Sequence, residues 1–210
     1  MSCRPAVPDP GPVEAPSGAV LLFDGTRTDG WRHRDGTQTG WLLEKGALVA
    51  KPGDGDAVSI EEIGDGRLHL EFNLPRVNAA GQSRANSGVY VMGRWEVQIL
   101  DCWENETYRE GTCGALYGLV APTALAPKPP NHWQTYDIDF RAPRAGPQGV
   151  VTTGGRITVV HNGTTVIDDA PFDGVTKGGL DEMIVSRGPV LLQDHGSPVR
   201  FRNIWWLPAN

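Results

Sequence analysis

Glu96, Gln98 and Asp101 lie close together in the segment Trp95-Glu96-Val97-Gln98-Ile99-Leu100-Asp101. Two carboxyls beside a carboxamide can move protons and bind hydroxyl groups, the equipment of general acid–base work on a sugar. In an extended chain Glu96 and Gln98 share one face, and Asp101 falls on the other unless a bulge adds a residue. A conventional retaining glycosidase needs a facing pair of carboxylates, and the amide at Gln98 weakens that reading. A second polar group, Gln193-Asp194-His195-Gly196, follows directly on an apolar run. Histidine titrates near neutrality, so His195 can take or give a proton, and Gly196 marks a turn able to bring it inward. Asp54 and Asp56 in Gly53-Asp54-Gly55-Asp56 are calcium-ligand types, although acidic glycine-rich loops are more often solvated turns. Glu96, Asp101 and His195 are also of the types that hold a divalent ion beside an enolate. No metal or other cofactor is assigned.

These groups need rigid elements to position them. The chain has 210 residues with 27 glycines and 17 prolines, about a fifth of the total against a usual ~12%. Long helices tolerate neither residue in their interiors. Short apolar segments recur instead between turn residues, the pattern of an all-β sandwich. Leu68, Leu70, Phe72 and Leu74 alternate with His69, Glu71 and Asn73, and Pro75 closes the run. Tyr136, Ile138 and Phe140 alternate with Asp137 and Asp139. Residues 156–168 read as two β-branched arms around Asn162-Gly163, a pair suited to a type I′ hairpin turn. Residues 41–44 and 47–50 flank Lys45-Gly46 as another hairpin, and 190–193 and 199–207 supply the last strands.

A net charge of −6 argues against a nucleic-acid partner, and no apolar run has the ~20 residues of a membrane-spanning helix. Residues 1–18 hold five prolines and no continuous apolar segment, and read as a disordered leader without a signal peptide. Residues 19–210 are then one domain. Ser2-Cys3 before a proline-rich tether is similar to the start of a trimmed bacterial lipoprotein, so an extracytoplasmic site, periplasmic or lipid-anchored, is expected, while a plain cytoplasmic start explains the same residues. Cys102 and Cys113 either bridge a loop or remain two small buried thiols.

Several motifs together resemble the 3-keto-disaccharide hydrolase domain family, formerly a domain of unknown function. They are Leu22-Phe23-Asp24-Gly25, Asn86-Ser87-Gly88-Val89-Tyr90, the 95–101 segment, Cys113-Gly114-Ala115-Leu116-Tyr117-Gly118, Leu192-Gln193-Asp194-His195-Gly196 and Val199-Arg200-Phe201-Arg202-Asn203-Ile204. His132-Trp133-Gln134-Thr135 stands where the family usually has Glu-Trp-Asn-Thr. The resemblance spans about residues 20–207 and implies a concanavalin A-like jelly roll, two curved antiparallel sheets with a carbohydrate groove. It further implies cleavage of 3-keto-glycosides whose sugar a separate 3-dehydrogenase has oxidised first. A ketone at carbon 3 acidifies the carbon 2 proton, so a base can remove it and expel the glycosidic oxygen by β-elimination, with water adding afterwards.

On this reading Glu96, Asp101 and His195 are the acid–base groups. Gln98 and Gln193 bind hydroxyls, and Tyr90, Tyr117 and Trp133 offer aromatic faces to the sugar. Arg202 and Asn203 either orient the keto oxygen or serve the closing strand structurally. Trp31, Trp41, Trp205 and Trp206 read as core or strand residues. The competing reading is a non-catalytic carbohydrate-binding module on the same scaffold, which would need hydroxyl partners and aromatics but no acid and base.

Overall fold

The computed structural model describes residues 11–209. Cys3 and the first ten residues of the expected leader lie outside the described residues. Fifteen strands appear among those described: β1 Val20–Phe23, β2 Trp31–Arg32, β3 Leu42–Glu44, β4 Ala47–Val49, β5 Ala57–Ile63, β6 Gly66–Asn73, β7 Asn86–Val91, β8 Trp95–Leu100, β9 Trp133–Arg141, β10 Arg144–Ala145, β11 Val151–Thr153, β12 Gly155–His161, β13 Thr164–Phe172, β14 Gly188–Leu192 and β15 Arg200–Pro208. Among the described residues no helix is long and apolar enough to cross a membrane.

Two antiparallel sheets form a jelly-roll sandwich. The larger runs β13-β12-β9-β6-β15-β4-β3, with β1 also on β15, and the smaller runs β2-β5-β14-β7-β8. The expected alternations set the core. Leu68, Leu70 and Phe72 of β6 and Tyr136, Ile138 and Phe140 of β9 turn inward, against Val89 and Val91 of β7 and Trp95, Val97 and Ile99 of β8. Trp95 packs its ring 5.2 Å from that of Phe140, and Tyr136 donates across the sandwich to the Gln98 carbonyl at 2.8 Å. The 156–168 hairpin forms as expected. Asn162 and Gly163 both take positive φ, 51° and 80°, which is what a two-residue type I′ turn requires. Trp31, Trp41, Trp205 and Trp206 are buried. Cys102 and Cys113 are both buried free thiols, with Cys102 Sγ accepting from the Cys113 N–H at 3.1 Å.

The outer face of the larger sheet departs from the simple expectation that alternating polar residues meet water. His69 and Glu71 are as buried as their apolar neighbours. A bulge in β15 puts Asn203 at φ 51° and turns it toward them, and Trp205 stacks on His69 with centroids 4.7 Å apart. Val13, expected within the disordered leader, lies against this cluster. The Val13 N–H donates to Glu71 Oε1 at 2.8 Å, and Asn203 Nδ2 donates to the Val13 carbonyl at 2.6 Å. Arg202 Nε donates to Glu71 Oε2 at 2.7 Å, and Asn203 Nδ2 reaches Oε1 at 2.9 Å. Burial alone would raise the Glu71 carboxyl, but these donors and His69 outweigh it and hold the group at about 2.

A carboxyl with a depressed pKa stabilises the fold above its ordinary value, and that contribution is lost as pH falls through the folded value. Glu71→Gln should therefore cost about 2–3 kcal/mol at pH 7 and flatten the loss of stability between about pH 4.5 and 2. Denaturant unfolding at pH 7 and pH 3 checks this, and parallel pH profiles for variant and wild type would count against it.

Candidate active site

On the outer face of the smaller sheet, Asn86, Gly88 and Tyr90 of β7 project beside Glu96 and Gln98 of β8. The register sets Tyr90 opposite Glu96 and Gly88 opposite Gln98. A Cβ at Gly88 would lie 2.3 Å from Glu96 Oε1, so any larger residue there would displace the Glu96 carboxyl. Three connections close over this face. Residues 113–117 run along the free edge of β8, where the Tyr117 N–H donates to the Glu96 carbonyl at 2.9 Å and the Gln98 N–H donates to that of Ala115 at 3.0 Å. The segment after β13 is held by Trp95 Nε1 donating to the Gly174 carbonyl at 2.7 Å and by the Thr176 hydroxyl accepting from the Glu96 N–H at 2.8 Å. The turn after β14 is pinned by the Gln193 N–H on the Gly88 carbonyl at 2.9 Å.

The result is a cavity of about 160 Å³ lined by Gln82, Asn86, Tyr90, Glu96, Gln98, Tyr117, Lys177, Gly178, Gln193 and His195. A larger groove of about 490 Å³ crosses strands β13, β12, β9, β6 and β15 of the other sheet, but its Arg67–Asp139 and Arg156–Asp169 pairs close on one another. The smaller cavity has the chemistry. Glu96 Oε2 accepts from the Tyr90 hydroxyl at 2.9 Å, and that hydroxyl accepts from Gln193 Nε2 at 3.2 Å. Burial pushes the Glu96 carboxyl up to about 7; the Tyr90 bond opposes the shift and the negative charge of Asp56 adds to it. Gln82 Nε2 and Gln98 Nε2 both reach the Gly111 carbonyl, at 2.8 and 3.3 Å. The carboxamide oxygens of Asn86, Gln98 and Gln193 are buried without a protein partner, which is costly unless something else donates to them. At the rim Tyr108 and Tyr117 share a 2.5 Å hydroxyl contact, and burial together with Tyr117 raises Tyr108 to about 12.

Of the residues expected to act, the structure brings Glu96, His195, Tyr90, Gln98, Tyr117 and Gln193 together. It places four elsewhere. Asp101 lies past the end of β8, where no bulge shifts the register, and its buried carboxylate pairs with Arg84 at 3.0 Å. Trp133 and Arg202 belong to the larger sheet, where the guanidinium sits 4.1 Å over the indole beside Glu71. Asn203 is likewise committed to the Val13 and Glu71 contacts there. Asp54 and Asp56 are taken up by Lys51, His33 and Arg34. Among the described residues no group of three or more His, Cys, Asp or Glu side chains is placed to hold a metal ion. Gln82, Asn86, Lys177 and Tyr108 were not singled out from the sequence. Asn86 was legible, being two and four residues before Gly88 and Tyr90 on the same strand face. Gln82 lies in a single 3-10 turn at Gly81–Ser83, and Lys177 and Tyr108 sit in loops, none with a periodic signal in the sequence.

The domain model described as the 3-keto-alpha-glucoside-1,2-lyase-like domain matches residues 18–207. The chain belongs to this family. A crystal structure from Parabacteroides distasonis, named provisionally as a glycosyl hydrolase, is 34% identical, with 93% of this chain and 85% of that one covered and a TM-score of 0.87. A second provisional glycosyl hydrolase from the same organism is 19% identical, covering 92% and 95% of the two chains with a TM-score of 0.67. The carbohydrate-binding module CBM66 of Bacillus subtilis shares the fold at 12% identity, with 83% and 93% covered and a TM-score of 0.50. No protein of curated description matches the chain. Family and neighbours together place this sandwich among carbohydrate-active proteins.

A buried carboxyl whose pKa is raised favours its protonated form in the folded state, so its ionisation costs stability as pH rises from about 4.5 to about 7. Glu96→Gln removes that cost. The variant should be more stable than wild type at pH 8, by on the order of 1–3 kcal/mol, and gain nothing comparable at pH 5. Thermal unfolding at the two pH values decides it; an equal change at both would remove Glu96 as the desolvated group.

Proposed function

We propose that this protein cleaves the glycosidic bond of 3-keto-glycosides by β-elimination followed by hydration. The observation that carries the reading is the desolvated Glu96 carboxyl, near pKa 7, facing three unpartnered carboxamide oxygens in one cavity. Such oxygens suit the hydroxyls of a sugar ring. A carboxylate poised near neutrality suits removal of a proton made acidic by an adjacent ketone.

Glu96 takes the carbon 2 proton. The electron pair of that C–H bond forms the carbon 1–carbon 2 double bond as the bond from carbon 1 to the aglycone oxygen breaks. His195, exposed at the cavity mouth, gives a proton to the departing oxygen. The negative charge that develops on the carbon 3 oxygen is met by Lys177, the lysine of the cavity wall, through the electrostatic stabilisation such intermediates need. Water then adds to carbon 1 with return of the proton to carbon 2, giving the free 3-keto sugar. Tyr90 steadies Glu96, and Tyr117 with Tyr108 offers an aromatic rim. Asp101 acts in the fold through Arg84, outside the reaction. The substrate must be supplied by an enzyme that oxidises a glycoside at carbon 3.

Aglycone release from a 3-keto-glucoside and from its unoxidised parent, with and without chelator, tests the proposal. The keto sugar alone should be cleaved. Because the base works deprotonated, kcat/KM should fall below an inflection near pH 7. Glu96→Gln should lose on the order of 100-fold or more and His195→Ala a similar factor, since positioned proton transfer contributes about 10²–10⁴. Wild-type turnover by His195→Ala would strip His195 of its role. Binding of both sugars without release from either would make the protein a carbohydrate-binding module.

A further inference from the structure

Lys177 and His195 reach the cavity from two separate connections, the one between β13 and β14 and the turn after β14. Neither residue lies in a strand, so strand register alone does not set them, although Thr176 on the Glu96 N–H and Gln193 on the Gly88 carbonyl anchor each connection to the sheet at one end. Two residues that do not line the cavity tie these connections together. Arg34, in the turn after β2, donates from Nη2 to the Gly178 carbonyl at 2.6 Å and from Nη1 to the Gly179 carbonyl at 2.9 Å. Its Nε and Nη2 also meet Asp56 Oδ2, each at 2.6 Å. Asp56 Oδ1 accepts from the Asp194 N–H at 2.8 Å, one residue before His195. The Asp194 carboxylate then closes the circuit, accepting from the Gly53 and Gly55 N–H groups at 2.7 and 3.0 Å, just ahead of Asp56. One ion pair thus holds the Lys177 loop with one partner and the His195 turn with the other.

We propose that Arg34 and Asp56 are a positioning pair that sets Lys177 and His195 around Glu96 without touching substrate. The catalytic part of this inference rests on the reading of the cavity given above; the structural part stands on the free protein. The Arg34 side chain is 41% exposed, and pairs of that kind contribute about 0–1 kcal/mol to stability, so the geometry they impose is the larger effect. The arrangement uses the planar fork of arginine, with donors to a carboxylate on one side and two carbonyls on the other, which the single ammonium of lysine cannot span. Asp56 also faces Glu96 electrostatically and raises its pKa. The other ionisable groups around Glu96 are Tyr90 on β7, Tyr108 and Tyr117 on the edge connection, Lys177 and His195.

The experiment pairs hydrogen–deuterium exchange of the full chain with kinetics on a 3-keto-glucoside, for Arg34→Ala, Arg34→Lys and Asp56→Asn. Arg156→Ala serves as control, because it removes an exposed ion pair on the other sheet. Arg34→Ala and Arg34→Lys should raise exchange in residues 174–180 and 193–197 together. Both should lower kcat about 10- to 100-fold, the scale of a small misplacement of reacting groups. The control should change neither. Asp56→Asn keeps an acceptor for Asp194 but loses the charge, so its acid limb should move to lower pH. Arg34→Lys keeps the protein assessable should the alanine variant fail to fold. Exchange raised at 174–180 alone, or wild-type kcat in both Arg34 variants, would overturn the pair. If the wild type released no aglycone, the proposed reaction would fall, and the exchange data would still decide whether the two connections are coupled.

Discussion

Every residue of β7 and β8 is buried, on the inner face by the opposing sheet and on the outer face by loops. A strand pair with one wet face can carry any polar residue there at little cost, but a pair covered on both faces cannot. Glu96, Gln98, Asn86 and Tyr90 are therefore obliged to find partners or to stand ready for a ligand that supplies them. Most of the arrangement around the cavity follows from that burden. Gly88 is small so that the Glu96 carboxyl has room beside it. Tyr90 lends its proton to that carboxyl, and backbone groups of the covering connections satisfy the edge of β8 that the sheet leaves open.

The loops that impose the burial also supply the remaining side chains of the cavity. Residues 113–117 bring Tyr117 by pairing with β8, and the segment docked through Gly174 and Thr176 brings Lys177. On the proposed reaction, rigid strands hold the acid–base carboxyl and the hydroxyl acceptors, and loops hold the groups that would meet the leaving group and the developing charge. This division suits a reaction in which the base must be fixed within a fraction of an ångström while substrate enters and aglycone leaves.

The sequence was most legible where one period governs a segment. The alternation in β6 and β9 and the turn at Asn162-Gly163 reach the structure nearly unchanged, and Glu96 and Gln98 share a face as their spacing requires. It was least legible where a residue's fate depends on a distant partner. Asp101 needed a bulge to join Glu96, and the regular register of β7 and β8 leaves it with Arg84 instead. Trp133 and Arg202 sit within family-like motifs, but motif membership does not say to which sheet a strand belongs, and both fall on the larger one. Gln82 and Lys177 have no local pattern at all. The contact between Arg34 and Gly178 joins residues 144 positions apart, a separation that only the closed fold makes visible.

The two outer faces show why burial of polar groups alone is a poor guide to function. Glu71 and Glu96 are both carboxyls on outward strand positions, both nearly inaccessible, and both next to aromatic and amide side chains. Glu71 receives donors from Val13, Arg202 and Asn203 with His69 beside it, and is held at about 2. Glu96 receives one donor, has a negative charge in Asp56 nearby, and is raised to about 7. The first cluster has satisfied its charge within the protein, so ionisation there only stabilises the fold and no solute is needed to complete it. The second retains an underbonded carboxyl and three idle carboxamide oxygens beside an open cavity. An incoming molecule can make such a deficit good, and on the proposed reading that molecule carries several hydroxyl donors and one proton that a carboxylate near neutrality can remove.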